Sequence, residues 1–356
     1  EKHCEELYSY LVAMGNKVTI YSRKGYCDET ISEYNGIKIV PLRTINTKHL
    51  EASFHTFWAL LHAVFSDADI IHFHAQGPCI FTWIPKLLAP NKKLVFTCHG
   101  LDWQRNKWNK AAQAVIKFGE LMSARLFDLQ VMVSKTLEDY YRKTYGINPV
   151  TIYNGTAIHE KFPANIIQEK YGLNSGDYLL FIGRLVPEKA PHRLIKAFKN
   201  VKTDKKLVIA GGSSATDEYE NYLKYLAQDD DRIIFTSYIY GDELREMYSN
   251  AYMYVSASEL EGLPLTLLEA MSYDLPCLVS NIPPHLEVLG TKNEYGLIFD
   301  LEREFDLEEK LTFALNLPKR KLIQLGENAK ELIKTKYSWK IAAKKLEQLY
   351  AMSVLF

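Results

Sequence analysis

One feature constrains the fold of this chain more than any other. Short, nearly uninterrupted apolar runs alternate with longer stretches of helical spacing from end to end. Strands of a parallel sheet are covered on both faces, so they read as continuous apolar runs rather than as alternating ones. The runs at 17–21, 37–40, 70–73, 94–97 and 129–133 form a first series. After a loop near 148–171 the pattern restarts with runs at 178–182, 206–210, 232–236, 251–256 and 277–280. The sequence therefore predicts an α/β protein of two doubly wound, Rossmann-like domains. Residues 1–160 form the first and 161–337 the second, and an amphipathic helix over 338–356 packs back on the first. The chain opens directly on a helical pattern, whereas an α/β domain ordinarily opens on a strand, so a first strand is expected upstream.

At 356 residues the chain has room for two cores. Lys+Arg and Asp+Glu balance at 43 each, which disfavours a dedicated nucleic-acid binder. Residues 1–165 carry 19 basic against 15 acidic side chains and the remainder 24 against 28, a mild basic excess suited to weak contact with an anionic lipid surface. No apolar stretch approaches the roughly 20 residues of a membrane span. Five scattered cysteines without a C-x-x-C pair fit a reducing, cytoplasmic setting better than a disulfide framework or a zinc site.

Ligands of open α/β sheets bind beyond the carboxyl ends of the strands, and three stretches there carry chemistry. The first, 258–270, reads SELEGLPLTLLEA. Glu261 lies in the loop, Gly262 and Pro264 shape a turn, and a helix starts near Leu265 with Glu269 inside it. The free amides of a helix start suit a phosphate, with one carboxylate before it and one beyond. That order matches sugar, diphosphate and ribose; the alternative is a turn-stabilising Glu261 and a solvent-facing Glu269. The second stretch, 181–191, reads FIGRLVPEKAP. Gly183 allows a sharp turn, after which Arg184 and Lys189 converge on a diphosphate or remain surface cations. The third, 98–103, places His99 at a strand end beside Gly100. His72 and His74 straddle Phe73 on another strand end; period-2 spacing without carboxylates is a weak metal signal, so His72 is read as structural and His74 as acceptor-side. No G-x-G-x-x-G follows a strand, no Walker A loop or G-x-S-x-G elbow is present, and no strand is followed by a D-x-D element.

Taken together these stretches resemble glycosyltransferase family 4, whose members have the GT-B fold, and within it the bacterial transferases of cell-surface polysaccharide synthesis. The resemblance rests on EGLPLTLLE from Glu261 to Glu269 and on GRLVPEKA, with Ala190 where the family has Gly. It rests also on Asn154-Gly155 opening a linker, on Tyr337-Ser338-Trp339 before the last helix, and on HGLDWQRNKW over 99–108. It implies a retaining transfer from a nucleotide-diphosphate-sugar to a carbohydrate or lipid-linked acceptor, without metal or cofactor. Arg184 and Lys189 would bind the diphosphate, Glu261 and His99 the transferred sugar, and Glu269 the ribose. Gly183, the amides of Gly262, Leu263, Leu265 and Thr266, and Asn281 and Ile282 would complete the donor site, with Ile239 and Tyr240 near the base. Trp103, Arg105 and Trp108 would offer an acceptor platform or simply pack a loop. The resemblance also implies a cytoplasmic enzyme, peripheral at the inner membrane face. The family's Gly-Gly loop precedes the Glu that opens the first helix; Glu1 corresponds to that Glu, so the loop too is expected upstream. A non-catalytic nucleotide-sugar-binding subunit, or a GT-B epimerase or hydrolase, is the alternative.

Overall fold

The structure, a computed structural model, describes residues 2–24, 31–45, 51–105, 108–213 and 217–355. Glu1, Cys27, Asn106, Lys107 and Ser214 lie outside them. The chain divides into two compact units, Glu1–Asn154 with Trp339–Phe356, and Gly155–Ser338.

In the first unit, β1 (Thr19–Arg23), β2 (Glu33–Tyr34) and β3 (Ile37–Leu42) form a sheet ordered β1-β3-β2. There β1 and β3 run parallel and β2 antiparallel to β3. A second sheet orders β4 (Ile70–His74), β5 (Lys93–Cys98), β6 (Leu129–Met132) and β7 (Val150–Thr151) side by side, all parallel. The two-residue strands β2 and β7 carry no apolar run, which is why hydrophobic patterning does not reveal them. Local chemistry fixes the helices between. Asn109 Oδ1 accepts from the Ala112 amide at 2.9 Å to cap Lys110–Arg125, and Gly146 in the left-handed region closes Lys135–Tyr145. The helices Lys2–Ala13 and Trp339–Leu355 pack on each other.

The second unit holds one all-parallel sheet of β8 (Tyr178–Ile182), β9 (Lys206–Ala210), β10 (Ile233–Ser237), β11 (Met253–Ser256), β12 (Cys277–Ser280) and β13 (Leu297–Phe299). Their order is β10-β9-β8-β11-β12-β13, so the winding reverses between β8 and β11. Strands β8, β11 and β12 are buried almost throughout, as continuous apolar runs require. Leu179, Phe181, Phe198, Ile209, Val255 and Leu278 belong to the core they share with the flanking helices. No helix among the described residues is long and apolar enough to cross a membrane.

Candidate functional site

The reversal between β8 and β11 is the topological switch point at which doubly wound sheets bind ligands. The loops leaving β8 and β11 carry Gly183, Arg184, Lys189, Glu261 and Gly262, and hydrogen bonds tie the two loops together. The Glu259 amide donates to the Glu188 carbonyl at 2.9 Å. Lys189 Nζ sits 2.5 Å from Glu261 Oε1, with only 19% and 9% of the two side chains exposed. The Ser258 hydroxyl donates to the same oxygen at 2.8 Å. Burial opposes ionisation of Glu261, but the Lys189 ammonium and the neighbouring His285 outweigh it and hold the carboxyl below its usual range. His285 is fully buried, with Nδ1 3.0 Å from Ser280 Oγ; burial lowers its pKa to about 4.

The charge of Arg184 acts on the Tyr238 hydroxyl, favouring its ionised form, and among the described residues no carboxylate forms an ion pair with Arg184. Tyr238 escapes sequence reasoning. Its hydroxyl donates to the carbonyls of Gly212 and Ser213, and its ring fills the space a side chain at Gly212 would need. The close backbone approach in this region falls at Gly211. Gly211 has φ +142°, and a Cβ there would stand 1.8 Å from the Gly183 carbonyl oxygen, whereas one on Gly183 meets only the Phe181 ring at 3.6 Å. Ala190 adopts φ +47° at the start of Pro191–Asn200, a left-handed conformation that explains the family's glycine.

Beyond β11 the helix Leu265–Ser272 begins after Pro264, which has no N–H. The amides of Leu265, Thr266 and Leu267 open it without an intrahelical acceptor, and the Thr266 hydroxyl meets Tyr254 Oη at 2.9 Å. Gly262 and Leu263 precede them in the same loop. Glu269 is not solvent-facing: it is buried, and its Oε2 accepts from the Tyr248 hydroxyl at 3.0 Å. After β10, Ile239 is buried, while Tyr240 is exposed and stacks on Tyr238 at 6.3 Å. The expectation for Asn281 needs correction. Its amide donates to Asp300 at 2.7 Å and its oxygen accepts from the Leu301 amide, so the side chain ties two loops rather than facing phosphate. Ile282 caps a helix whose first residues, Pro283 and Pro284, have no amide hydrogen to give.

In the first unit, His72, His74, Thr97 and His99 follow one another along one face of β4 and β5 and the turn beyond. His72 engages both ring nitrogens, Nδ1 with the hydroxyls of Tyr8 (2.9 Å) and Tyr350 (2.5 Å), Nε2 with Thr97 (2.7 Å). That is the structural role read for it. His74 is also internal, bonded to the Tyr8 hydroxyl at 2.6 Å and to His99 Nε2 at 2.8 Å, rather than presented to an acceptor. His3, which sequence reasoning passes over, sets its ring edge-on to His99 with centroids 4.5 Å apart. Trp103 is a packing residue. Its indole donates to the buried Glu120 at 3.0 Å and Lys117 covers its ring at 4.0 Å, while Arg105 pairs with Asp102.

Comparison with known proteins follows the same division. The Glycosyltransferase Family 4 profile matches residues 1–160 and the Glycosyl transferases group 1 profile residues 164–332. A putative glycosyltransferase of Bacillus subtilis, YtcC, is 27% identical over 80% of this chain and 73% of its own length. The UDP-Gal:α-D-GlcNAc-diphosphoundecaprenol α-1,3-galactosyltransferase of Escherichia coli is 26% identical over 79% and 75%. Among solved structures, sucrose-phosphate synthase from Thermosynechococcus elongatus superposes with a TM-score of 0.83 at 21% identity, covering 98% of this chain and 91% of that one. HepE from Anabaena, solved with UDP-glucose, gives 0.82 at 14% identity, covering 98% and 96%. The fold is thus GT-B, two parallel-sheet α/β domains, and the protein is a glycosyltransferase. The chain belongs to glycosyltransferase family 4, of the group 1 type, and its relatives include bacterial enzymes of surface-polysaccharide synthesis.

Proposed function

We propose that this glycosyltransferase moves a hexosyl or deoxyhexosyl group from a nucleotide-diphosphate-sugar to a hydroxyl of a carbohydrate or lipid-linked saccharide, with retention and without a metal. The observation that carries the reading is the shielded Lys189–Glu261 pair at the switch point, which ties the loop after β8, where Arg184 also lies, to the loop that leads into the opening amides of Leu265–Ser272. Lys189 and Arg184 would stabilise the charge that develops on the leaving diphosphate, together with those amides. A diphosphate competing for Lys189 would free Glu261 to accept from a sugar hydroxyl. His99 would donate to another hydroxyl of the same sugar, and a donor phosphate oxygen would take the acceptor's proton. The buried setting of Glu269 suits a single directed contact to a ribose. Relatives acting on diphosphoundecaprenol-linked sugars support a lipid-linked acceptor, and neighbours solved with UDP and UDP-glucose support a nucleotide-sugar donor. Exposed Trp58, Phe65, Trp83, Leu87 and Phe118 on the first unit would suit weak contact with the surface that carries such an acceptor, at the cytoplasmic face of a membrane.

A thermal-shift panel of UDP-, GDP-, ADP- and dTDP-sugars tests the donor site, because a ligand that binds the folded state raises its Tm. One base class is expected to stabilise the wild type and to lose that effect in Lys189→Ala. No stabilisation by any donor, in a protein that is folded, argues against the assignment.

A further inference from the structure

Three histidines from separate segments of the first unit turn towards one another: His3 on Lys2–Ala13, His74 at the end of β4, and His99 just beyond β5. One ring nitrogen from each lies within 4.8 Å of those of the other two. His3 is only 9% exposed, and its Nε2 is buried without a hydrogen-bond partner among the described residues. Its Nδ1 lies 2.9 Å from Asn154 Oδ1. An amide oxygen only accepts, so Nδ1 carries the proton and Nε2 keeps its lone pair. His74 holds Nε2 against the Tyr8 hydroxyl and turns Nδ1 to His99 Nε2 at 2.8 Å, a hydrogen bond whose shared proton a metal ion would replace. Outer contacts of this kind fix the tautomer and ring orientation of metal-binding imidazoles.

We propose that His3, His74 and His99 form a site for one borderline transition-metal ion, zinc(II) above all, with a fourth position open to water. The donor set of three imidazoles without a carboxylate favours zinc over magnesium or calcium. Zn–N bonds near 2.0–2.1 Å in a tetrahedron set the nitrogens about 3.3 Å apart. The His74 and His99 nitrogens, now 2.8 Å apart, need to part slightly, and His3 needs to swing in. The consequence rests on the function proposed above: His99 bound to zinc is withdrawn from the sugar, so the ion acts as a reversible brake and not as a cofactor.

The test uses the untagged, chelator-treated full chain. Zinc is titrated against a chromophoric chelator and cobalt(II) by its visible absorbance. One ion per chain is expected, with the intense bands of tetrahedral cobalt. Binding is expected to weaken tenfold or more in His3→Gln and His74→Gln, and to stay unchanged in His62→Gln, whose ring bonds Tyr21 elsewhere in the unit. X-ray absorption at the zinc edge of the wild type, which needs no variant, is expected to show three imidazoles. Sulfur scattering, fewer imidazoles, or wild-type affinity in folded His3→Gln overturns the site. Where transfer is measured, it is expected to fall with zinc occupancy and return with chelator; full occupancy without inhibition overturns the brake. Failure to detect transfer with any donor counts against the proposed function, while the titrations still decide the site.

Discussion

Each unit holds a shielded polar cluster at the carboxyl ends of its strands, and the two are built in opposite ways. In the second unit Lys189 holds Glu261 ionised in spite of burial. In the first, burial keeps the rings uncharged: it lowers the pKa of His3 to about 4 and of His72 to about 3, and sets His74 and His99 well below the usual value, with neighbouring rings adding to the effect. A charged cluster offers its charges to any ligand that competes for them. A neutral one stays neutral only while it stays packed, and protons rather than anions are its natural adversary.

Lowering the pH should separate the two most sharply. Histidines of the unfolded chain titrate near 6.5, whereas in the folded first unit His3 stays neutral to about 4 and His72 to about 3. The unfolded state therefore binds more protons across that window. Stability contributed by His3 and His72 is full above pH 6.5 and falls as pH drops toward 4, by on the order of 1.4 kcal/mol per pH unit for each of the two. In the second unit only His285 among the described histidines is fully buried, and the depressed Glu261 carboxyl contributes stability that is lost only at more acidic pH. Hydrogen exchange at pH 7.5 and 5.5, corrected for intrinsic rates, should show β4 and β5 losing protection before β8 and β11; parallel loss would break the contrast. Next in size, Lys189→Ala should lower kcat/KM for transfer by a hundredfold or more, on the order of 3 kcal/mol of transition-state stabilisation, in a protein that still folds but with a lowered Tm, because Glu261 loses its buried partner. Turnover near that of the wild type would remove the charged cluster from the chemistry. The smallest effect concerns Trp103. Trp103→Phe takes one donor from buried Glu120, which keeps the hydroxyls of Tyr140 and Tyr145, so urea denaturation should show a loss of about 1–3 kcal/mol with the acceptor KM unchanged. A raised KM at full stability would return Trp103 to the substrate.

The same contrast governs what could be read in advance. The runs at 178–182, 206–210 and 277–280 coincide with β8, β9 and β12 because strands buried on both faces leave an unmistakable pattern. Glu261 and Lys189 were legible because each sits in a short stretch, just after a strand, whose glycines, prolines and charges are contiguous. The histidine cluster draws on residues 3, 8, 74, 99 and 154, and no local pattern unites them. The one available signal was His72-Phe73-His74, which marks a shared sheet face but not what lies against it. Asn281 and Trp103 misled for a related reason: their chemistry suits a ligand, but Asp300 and Glu120, far along the chain, take it up.

The helix Trp339–Leu355 belongs to the unit that the chain begins, not to the one it has just completed. The Tyr350 hydroxyl closes on His72, 278 positions earlier. The first unit therefore completes its packing across the whole of Gly155–Ser338, which separates its two parts along the chain. Cleavage before Trp339 would take the Tyr350 hydroxyl from His72 and strip that cover from the first unit, while all six strands of the second unit's sheet lie before the cut.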